Sequence, residues 1–414
     1  MRINNPIYLL LFCLVISACS RESSRESRSY QHIDASFSKE MTLKLSDFAE
    51  SIQLIPLQTN EESLINKVGK IIVKNNRYYI GSASMRTDKI LVFGEKGNYL
   101  YKLDKKGQGP DEYLEIEDFD VMENSNLLVL SHSDPRMYIY DIEHDLCLMN
   151  KRLDVYPLNL IIMQDRIFLY NRSISPTISN GQNEQSKHIL SEFDLQGNLI
   201  DSYFEPDEVV RKKVDYVHPI NSLNGCEQKI FFNYPWCDTI YEIKNQKLLP
   251  AFYLDYGDKK LPERIFKKEI KDIFDIVRDI KNNQGIHIKK YYNITPHFIH
   301  FTIQDYENNG YIAFYDRKND TTLIGHHIVD DIYLTGNKYT IQGGQLPKNM
   351  DGDELIWTVE PNELKKACQA YKDRATKAEW MEFLSLHPDI VAVCENSRKD
   401  NNPILIRIKI KTEN

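Results

Sequence analysis

The residues best suited to chemistry sit in a few short stretches of a 414-residue chain. The first is 105-KKGQGPDEY-113, where Gly107, Gly109 and Pro110 crowd ahead of Asp111, Glu112 and Tyr113. A phosphate-cradling loop needs its glycines between a strand and a helix N-terminus, ideally with Gly-Lys-Ser/Thr following. Neither feature is present. A calcium loop needs a spaced series of Asp or Asn around a glycine, and only Asp111 and Glu112 are available. The stretch therefore reads as a joint between two pieces of sheet. Gly107 and Gly109 are expected to take positive φ, and Pro110 to fix the exit.

The other candidates are weaker as chemistry. His326 and His327 are adjacent, so on a strand they point to opposite faces and do not share a metal. His297 and His300 also diverge on a strand, and no His-Glu-x-x-His occurs. Asp351-Gly352-Asp353-Glu354 resembles a fragment of a calcium loop without the downstream ligands, and Asp-Gly is above all a turn signal. No Gly-x-Ser-x-Gly nucleophile elbow exists. Glu117, Asp118 and Asp120 lie on a strand that could face a channel, but similar acids do not recur elsewhere. No metal and no cofactor is expected. Flat aromatic faces for a carbohydrate or peptide could come from Tyr78-Tyr79, Tyr291-Tyr292 or Tyr234-Pro235-Trp236. Trp236 and Tyr234 are the candidate binding residues, because they sit in a turn.

The elements that must position these residues repeat. A short apolar strand, a polar bend and a second apolar strand recur at 90-ILVFGEKGNYLYKL-103, 137-MYIYDIEHDLCLM-149, 189-ILSEFDLQGNLIDSY-203, 239-TIYEIKNQKLLPAF-252 and 312-IAFYDRKNDTTLIG-325. The bends are hairpin signals. The anchors Phe93, Tyr140, Phe193, Tyr241 and Phe314 are 47, 53, 48 and 73 residues apart. A further strand pair precedes most copies, as in 68-VGKIIVKNNRYYIGS-82 and 116-IEDFDVMENSNLLVLS-131. About four short strands per unit, repeated, is the pattern of propeller blades. The long interval is explained by an amphipathic helix over 261–281, with Phe266, Ile270, Ile273, Val277 and Ile280 on one face. A second helix is expected over 361–387, through Leu364, Cys368, Tyr371, Ala375 and Ala378. The fold class is therefore all-β: a six-bladed β-propeller over 41–414 with two helical insertions. One blade joins 50-ESIQLIPLQT-59 to 403-PILIRIKIK-411 and closes the ring, which removes exposed sheet edges.

The N-terminus is an address. Residues 7–16 are an apolar run too short to span a bilayer comfortably and fit the core of a secretory signal. Ile16-Ser17-Ala18-Cys19 resembles a bacterial lipobox, which implies a signal peptide over 1–18 and lipidation of Cys19. Residues 19–40 begin with a polar run and are expected to be a flexible tether. Ser20 after the cysteine implies the outer membrane. Cys147, Cys226, Cys237, Cys368 and Cys394 remain. With no Cys-x-x-Cys, zinc and redox motifs are unsupported. Cys226 and Cys237 either pair locally or are free buried thiols.

Taken together, Gly107 to Tyr113, the following Ile116 to Phe119, Cys19, Ile52 to Thr59 and Asn402 to Lys409 resemble the six-bladed, NHL-like propeller lipoproteins abundant in gut Bacteroidota. Asp111 stands where that family usually has a second glycine. The resemblance implies a fold and an envelope location, and no established activity. The expected function is a non-enzymatic binding or scaffold module for an envelope protein or glycan, held to the membrane through Cys19. The alternative is a propeller hydrolase or lyase with a metal in the central channel; a third option is an adaptor that docks through the amphipathic insertions. A formal net charge of −8 argues against nucleic acid.

Overall fold

The computed structural model describes residues 30–412 except 37–40, 83–86, 173–187, 208–221, 235–236, 269–272, 287, 308, 333–336 and 341–348. The expected signal peptide 1–18, its Cys19 and Trp236 lie outside the described residues.

Two short strands, β1 (Gln31–Asp34) and β2 (Met41–Lys44), a one-turn helix α1 (Leu45–Phe48) and β3 (Ala49–Pro56) lead the described chain. Blade 1 is β4 (Val68–Lys74), β5 (Arg77–Ser82), β6 (Lys89–Gly94) and β7 (Tyr99–Leu103). Blade 2 is β8 (Ile116–Val121), β9 (Leu127–Ser131), β10 (Arg136–Asp141) and β11 (Leu146–Arg152). Blade 3 is β12 (Pro157–Met163), β13 (Arg166–Asn171), β14 (Leu190–Asp194) and β15 (Leu199–Tyr203). Blade 4 is β16 (Leu223–Cys226), β17 (Lys229–Phe232), β18 (Thr239–Lys244) and β19 (Lys247–Asp255). Helices α2 (Glu263–Lys267) and α3 (Ile273–Asn283) follow. Blade 5 is β20 (Ile288–Ile294), β21 (Phe298–Gln304), β22 (Gly310–Asp316) and β23 (Thr321–Asp330), extended by β24 (Asn337–Thr340). Blade 6 holds β25 (Asn349–Asp351), β26 (Glu354–Val359), helices α4 (Pro361–Arg374), α5 (Lys377–Leu386) and α6 (Pro388–Asn396), and β27 (Ile404–Ile410). β3 completes that sheet in the order β25-β26-β27-β3. The fold is a six-bladed β-propeller, closed by strands from both ends of the described chain.

The hydrophobic core is not one mass but a wedge between each pair of neighbouring blades. β27 shows how alternation builds this. Ile404, Ile406, Ile408 and Ile410 pack toward blade 5, with Phe314 and Ile328. Leu405, on the other face, packs with Ile356, Tyr78 and Leu91 of blades 6 and 1. Strands buried on both faces read as continuous apolar runs, as in 127-LLVLS-131, where every residue is buried.

Three expectations change. The tether of 19–40 ends sooner, because β1 lies parallel to the edge strand β19 as a fifth strand of blade 4. Its Ile33 is fully buried beside Ile240 and Leu254, which anchors the segment. The helix over 261–281 is two helices: Lys268 takes extended dihedrals (φ −75, ψ 132) and ends α2. The helix over 361–387 is two, α4 and α5, and a third, α6, follows to Asn396. Ala375 is extended, Thr376 caps α5 through a reciprocal pair with Glu379, and Pro388 starts α6.

Candidate functional site

The innermost strands frame the central channel, and each has one edge without a strand partner. Bare N–H groups there would be costly, so side chains satisfy them. On β8, Asp118 Oδ2 accepts from the Leu160 N–H of β12 at 2.9 Å, and Asp120 Oδ2 from the Ile162 N–H at 2.8 Å. Asn159 on β12 accepts from the Ser222 N–H at 3.1 Å. Asn224 on β16 accepts from the Ile294 N–H at 3.2 Å and donates to the Tyr292 carbonyl at 2.8 Å. Lys70 on β4 donates to both the Asp118 carboxylate and the Phe119 carbonyl at 2.8 Å. Burial pushes the Asp120 carboxyl pKa up, and the Lys70 ammonium opposes it. These acids are joinery between blades. Glu117, the third acid of this strand, pairs with His132. Among the described residues, no group of three His, Cys, Asp or Glu side chains could hold a metal ion.

The 105–113 stretch is the crossover from β7, the outer strand of blade 1, to β8, the inner strand of blade 2. It is the expected joint, but its glycines serve a different purpose. Neither Gly107 nor Gly109 has positive φ. A Cβ on Gly107 would instead lie 1.9 Å from the Glu112 carboxylate, which folds back over the loop and accepts the Gly109 N–H at 2.8 Å. Pro110 gives its carbonyl to the Asn150 amide. Tyr113 is fully buried; its hydroxyl donates to the Asp88 carbonyl at 3.0 Å and accepts the Lys105 N–H at 3.2 Å. The carbonyls of Asp111 and Glu112 receive the hydroxyls of Tyr140 and Tyr138. The backbone carbonyls of Pro110, Asp111 and Glu112 and the Tyr113 hydroxyl are thereby turned toward the protein.

The remaining sequence candidates are dispersed. His326 bonds the Gly310 carbonyl at 3.0 Å and lies on the Tyr311 ring. His297 pairs with Asp353 at 2.6 Å, while His300 is fully buried. Asp351 and Glu354 flank a two-residue hairpin turn with Gly352 at φ +56. Tyr78, Tyr79 and Tyr292 are core residues and offer no flat face to solvent. Tyr234 is half-buried in a cluster with Phe204, Phe232 and Tyr241. Neither Cys226 nor Cys237 is in a disulfide. Cys226 ends β16 at the turn of the β16–β17 hairpin and Cys237 follows the opposite end of β17, so the length of these strands, roughly 13 Å, holds them too far apart for a disulfide.

What strand alternation does assemble is two unlike faces. Antiparallel order puts the β16–β17, β12–β13, β4–β5 and β18–β19 connections on one face. These are two-residue turns with both residues at positive φ: Asn75-Asn76, Gln164-Asp165, Glu227-Gln228 and Asn245-Gln246. The connections from each blade to the next, and from second to third strand, leave from the opposite face. That face carries α2–α3, α4–α6, the 105–113 joint and the turn holding Tyr234. It also shows large apolar side chains to solvent: Phe274 is 70% exposed and Val277 39% on α3, and Met381 is 57% and Leu386 65% on α5. Val277, expected on the apolar face of its helix, is exposed there, while Ile280 of the same face is buried.

No curated protein sequence matches the chain. Among solved structures, a predicted exported protein from Bacteroides fragilis aligns over 92% of this chain and 99% of its own, at 17% identity and TM-score 0.67. Virginiamycin B lyase from Staphylococcus aureus covers 74% of this chain and 95% of its own, at 9% identity and TM-score 0.41. BamB from Moraxella catarrhalis covers 74% and 96%, also at 9% and 0.41. The first of these likenesses speaks to the fold. Residues 31–409 match the family described as Domain of unknown function (DUF4934), and the chain belongs to that family.

Proposed function

We propose that this DUF4934 member is an NHL-like propeller lipoprotein of the cell envelope, held by a lipid on Cys19, whose helix-bearing face binds a protein partner without catalysing a reaction. The observation that carries this is the division of the disc. Tight turns occupy one face, while helices, long connections and exposed Phe274, Val277, Met381 and Leu386 occupy the other. Apolar side chains on amphipathic helices suit a protein partner better than a glycan. Tyr234 belongs to a connection on the same face and, with Trp236 two residues on in the sequence, is the aromatic candidate for its contact. The channel acids favour a non-catalytic role, since Asp118 and Asp120 are already bonded to the neighbouring blade.

Export is supported by the Ile16-Ser17-Ala18-Cys19 sequence and by the Bacteroides fragilis neighbour, itself described as exported on prediction. Ser20 favours the outer membrane. Among the described residues no helix is long and apolar enough to cross a membrane.

The experiment places a photo-crosslinking residue at Phe274, Met381 or Gln246 in cells. Discrete adducts from positions 274 and 381, and none from 246 on the tight-turn face, are the expected result. Equal labelling of both faces, or none from either, overturns the docking assignment. Cys19→Ser should abolish incorporation of a fatty-acid label. Stoichiometric metal, with a melting temperature that drops on chelation, would replace this reading with a channel-metal enzyme.

A further inference from the structure

Helices α4, α5 and α6 form a small unit inserted between two adjacent strands of the closing blade. Leu364 and Ala367 of α4, Phe383 of α5 and Ile390 of α6 are buried in one cluster with Trp357 and Ile404 of the sheet. The unit must hold its shape if it is to present a fixed surface, yet it departs from β26 and returns at β27. Between α4 and α6, Cys368 and Cys394, not bridged in the structure, bring their sulfurs to 3.0 Å. That is inside the sum of two sulfur van der Waals radii, with both backbones already placed by the surrounding packing. The remaining described cysteines show no such approach: Cys147 bonds the Met149 carbonyl and Cys237 the Thr239 carbonyl, and Cys226 is buried among apolar side chains.

We infer that Cys368 and Cys394 are a disulfide pair that staples α4 to α6. The inference rests on the envelope reading above for its oxidant, because disulfides persist in exported compartments and not in a reducing cytosol. The oxidant is a disulfide, either a protein thiol oxidase or a small disulfide such as oxidised glutathione. Cys394 is the more exposed of the two and meets it first. Its thiolate attacks one sulfur of the oxidant, forming a mixed disulfide and releasing one thiol. The Cys368 thiolate then attacks the Cys394 sulfur and releases the second thiol. Two protein thiols become one disulfide, the oxidant's disulfide becomes two thiols, and the two electrons pass to it. The bridge joins positions 26 residues apart. It removes conformations from the unfolded chain and holds the helical unit together when the sheet breathes.

The test uses the purified full chain equilibrated with oxidised or reduced glutathione, then alkylated in denaturant, digested and weighed. The expected result after oxidation is a Cys368–Cys394 linked peptide pair about 2 Da lighter than the two thiol peptides, with Cys147, Cys226 and Cys237 still alkylated. Amide exchange across α4–α6 should be slower by tenfold or more than in the reduced protein. Cys394→Ser, which keeps a group of similar size, should abolish both effects while the reduced proteins melt alike. Full alkylation of Cys368 and Cys394 after oxidation, or pairing with another cysteine, overturns the inference. Acid-trapping of cells separates the two claims. A pair that forms with glutathione but stays reduced in cells would fault the envelope reading and leave the pairing intact.

Discussion

His300 shows how misleading a residue type is without its surroundings. In sequence it belongs to a pair of histidines three apart; in the structure it lies at the centre of β21, fully buried, with its ring 5.0 Å from that of Phe314. Neither ring nitrogen has a hydrogen-bond partner. Burial alone lowers its pKa from 6.5 to about 3, so it is neutral in the folded protein. In the unfolded chain it charges normally. The unfolded state therefore binds the extra proton as pH falls below about 6.5, and stability is lost between there and about 3. At pH 5 this amounts to about 2 kcal/mol. His300→Leu should remove that share of the acid sensitivity and leave stability near pH 7 unchanged or raised, since an apolar side chain leaves no polar atom unpaired. Denaturant unfolding of both proteins at pH 7 and pH 5 checks it; an unchanged pH dependence would mean His300 finds a partner in solution.

At the scale of the element, the blade joint is a side-chain device more than a backbone one. Because the Glu112 carboxylate occupies the space above Gly107, Gly107→Ala should destabilise the wild type by about 1 kcal/mol. It should cost much less in a Glu112→Ala background, where the obstacle is gone. A double-mutant cycle of unfolding free energies reads the coupling, and simple additivity would refute the account. The joint itself was legible in sequence, because glycine and proline between two apolar runs punctuate any sheet. So were the long hairpins, whose bends carry Asn-Asn, Lys-Gly-Asn or Lys-Asn-Gln. The strands 223-LNGC-226 and 229-KIFF-232 were not, since four residues are too few to display a period. The break between α4 and α5 had a local signal, the Thr376–Glu379 capping pair, which an apolar stripe running through it concealed; the helix that Pro388 starts lies beyond the stretch expected to be helical. The joinery of the channel had none. Asp118 meets a backbone 42 residues on, Asn159 one 63 residues on and Asn224 one 70 residues on, so no fixed spacing links them.

For the molecule as a whole, closure is the step on which the ring depends. β3 and β27 pair from Ile404↔Pro56 to Ile410↔Ala49, across nearly the full length of the chain. Contacts so distant in sequence form late and at high entropic cost, so the chain ends need more than a ladder to hold them. Asn402 supplies it, just before β27. Its side chain accepts the Ile65 N–H at 2.9 Å and donates to the carbonyls of Gln58 at 2.8 Å and Ser63 at 2.7 Å. Its own N–H reaches the Thr59 hydroxyl at 2.8 Å. One buried amide thus ties the last strand to the connection between β3 and blade 1. Asn402→Ala leaves two buried backbone groups, the Ile65 N–H and the Ser63 carbonyl, without that partner, while the Gln58 carbonyl keeps the Ser63 hydroxyl; each loss is worth about 1 kcal/mol or more. The expected loss is about 2–4 kcal/mol, against almost none for Asn396→Ala on the exposed end of α6. Amide exchange locates the damage: protection should fall first in β3 and β27, with blades 2 to 4 keeping theirs. A uniform loss across all blades would show instead that the propeller unfolds as one cooperative unit, and that closing the ring is no weaker a step than stacking any two blades within it.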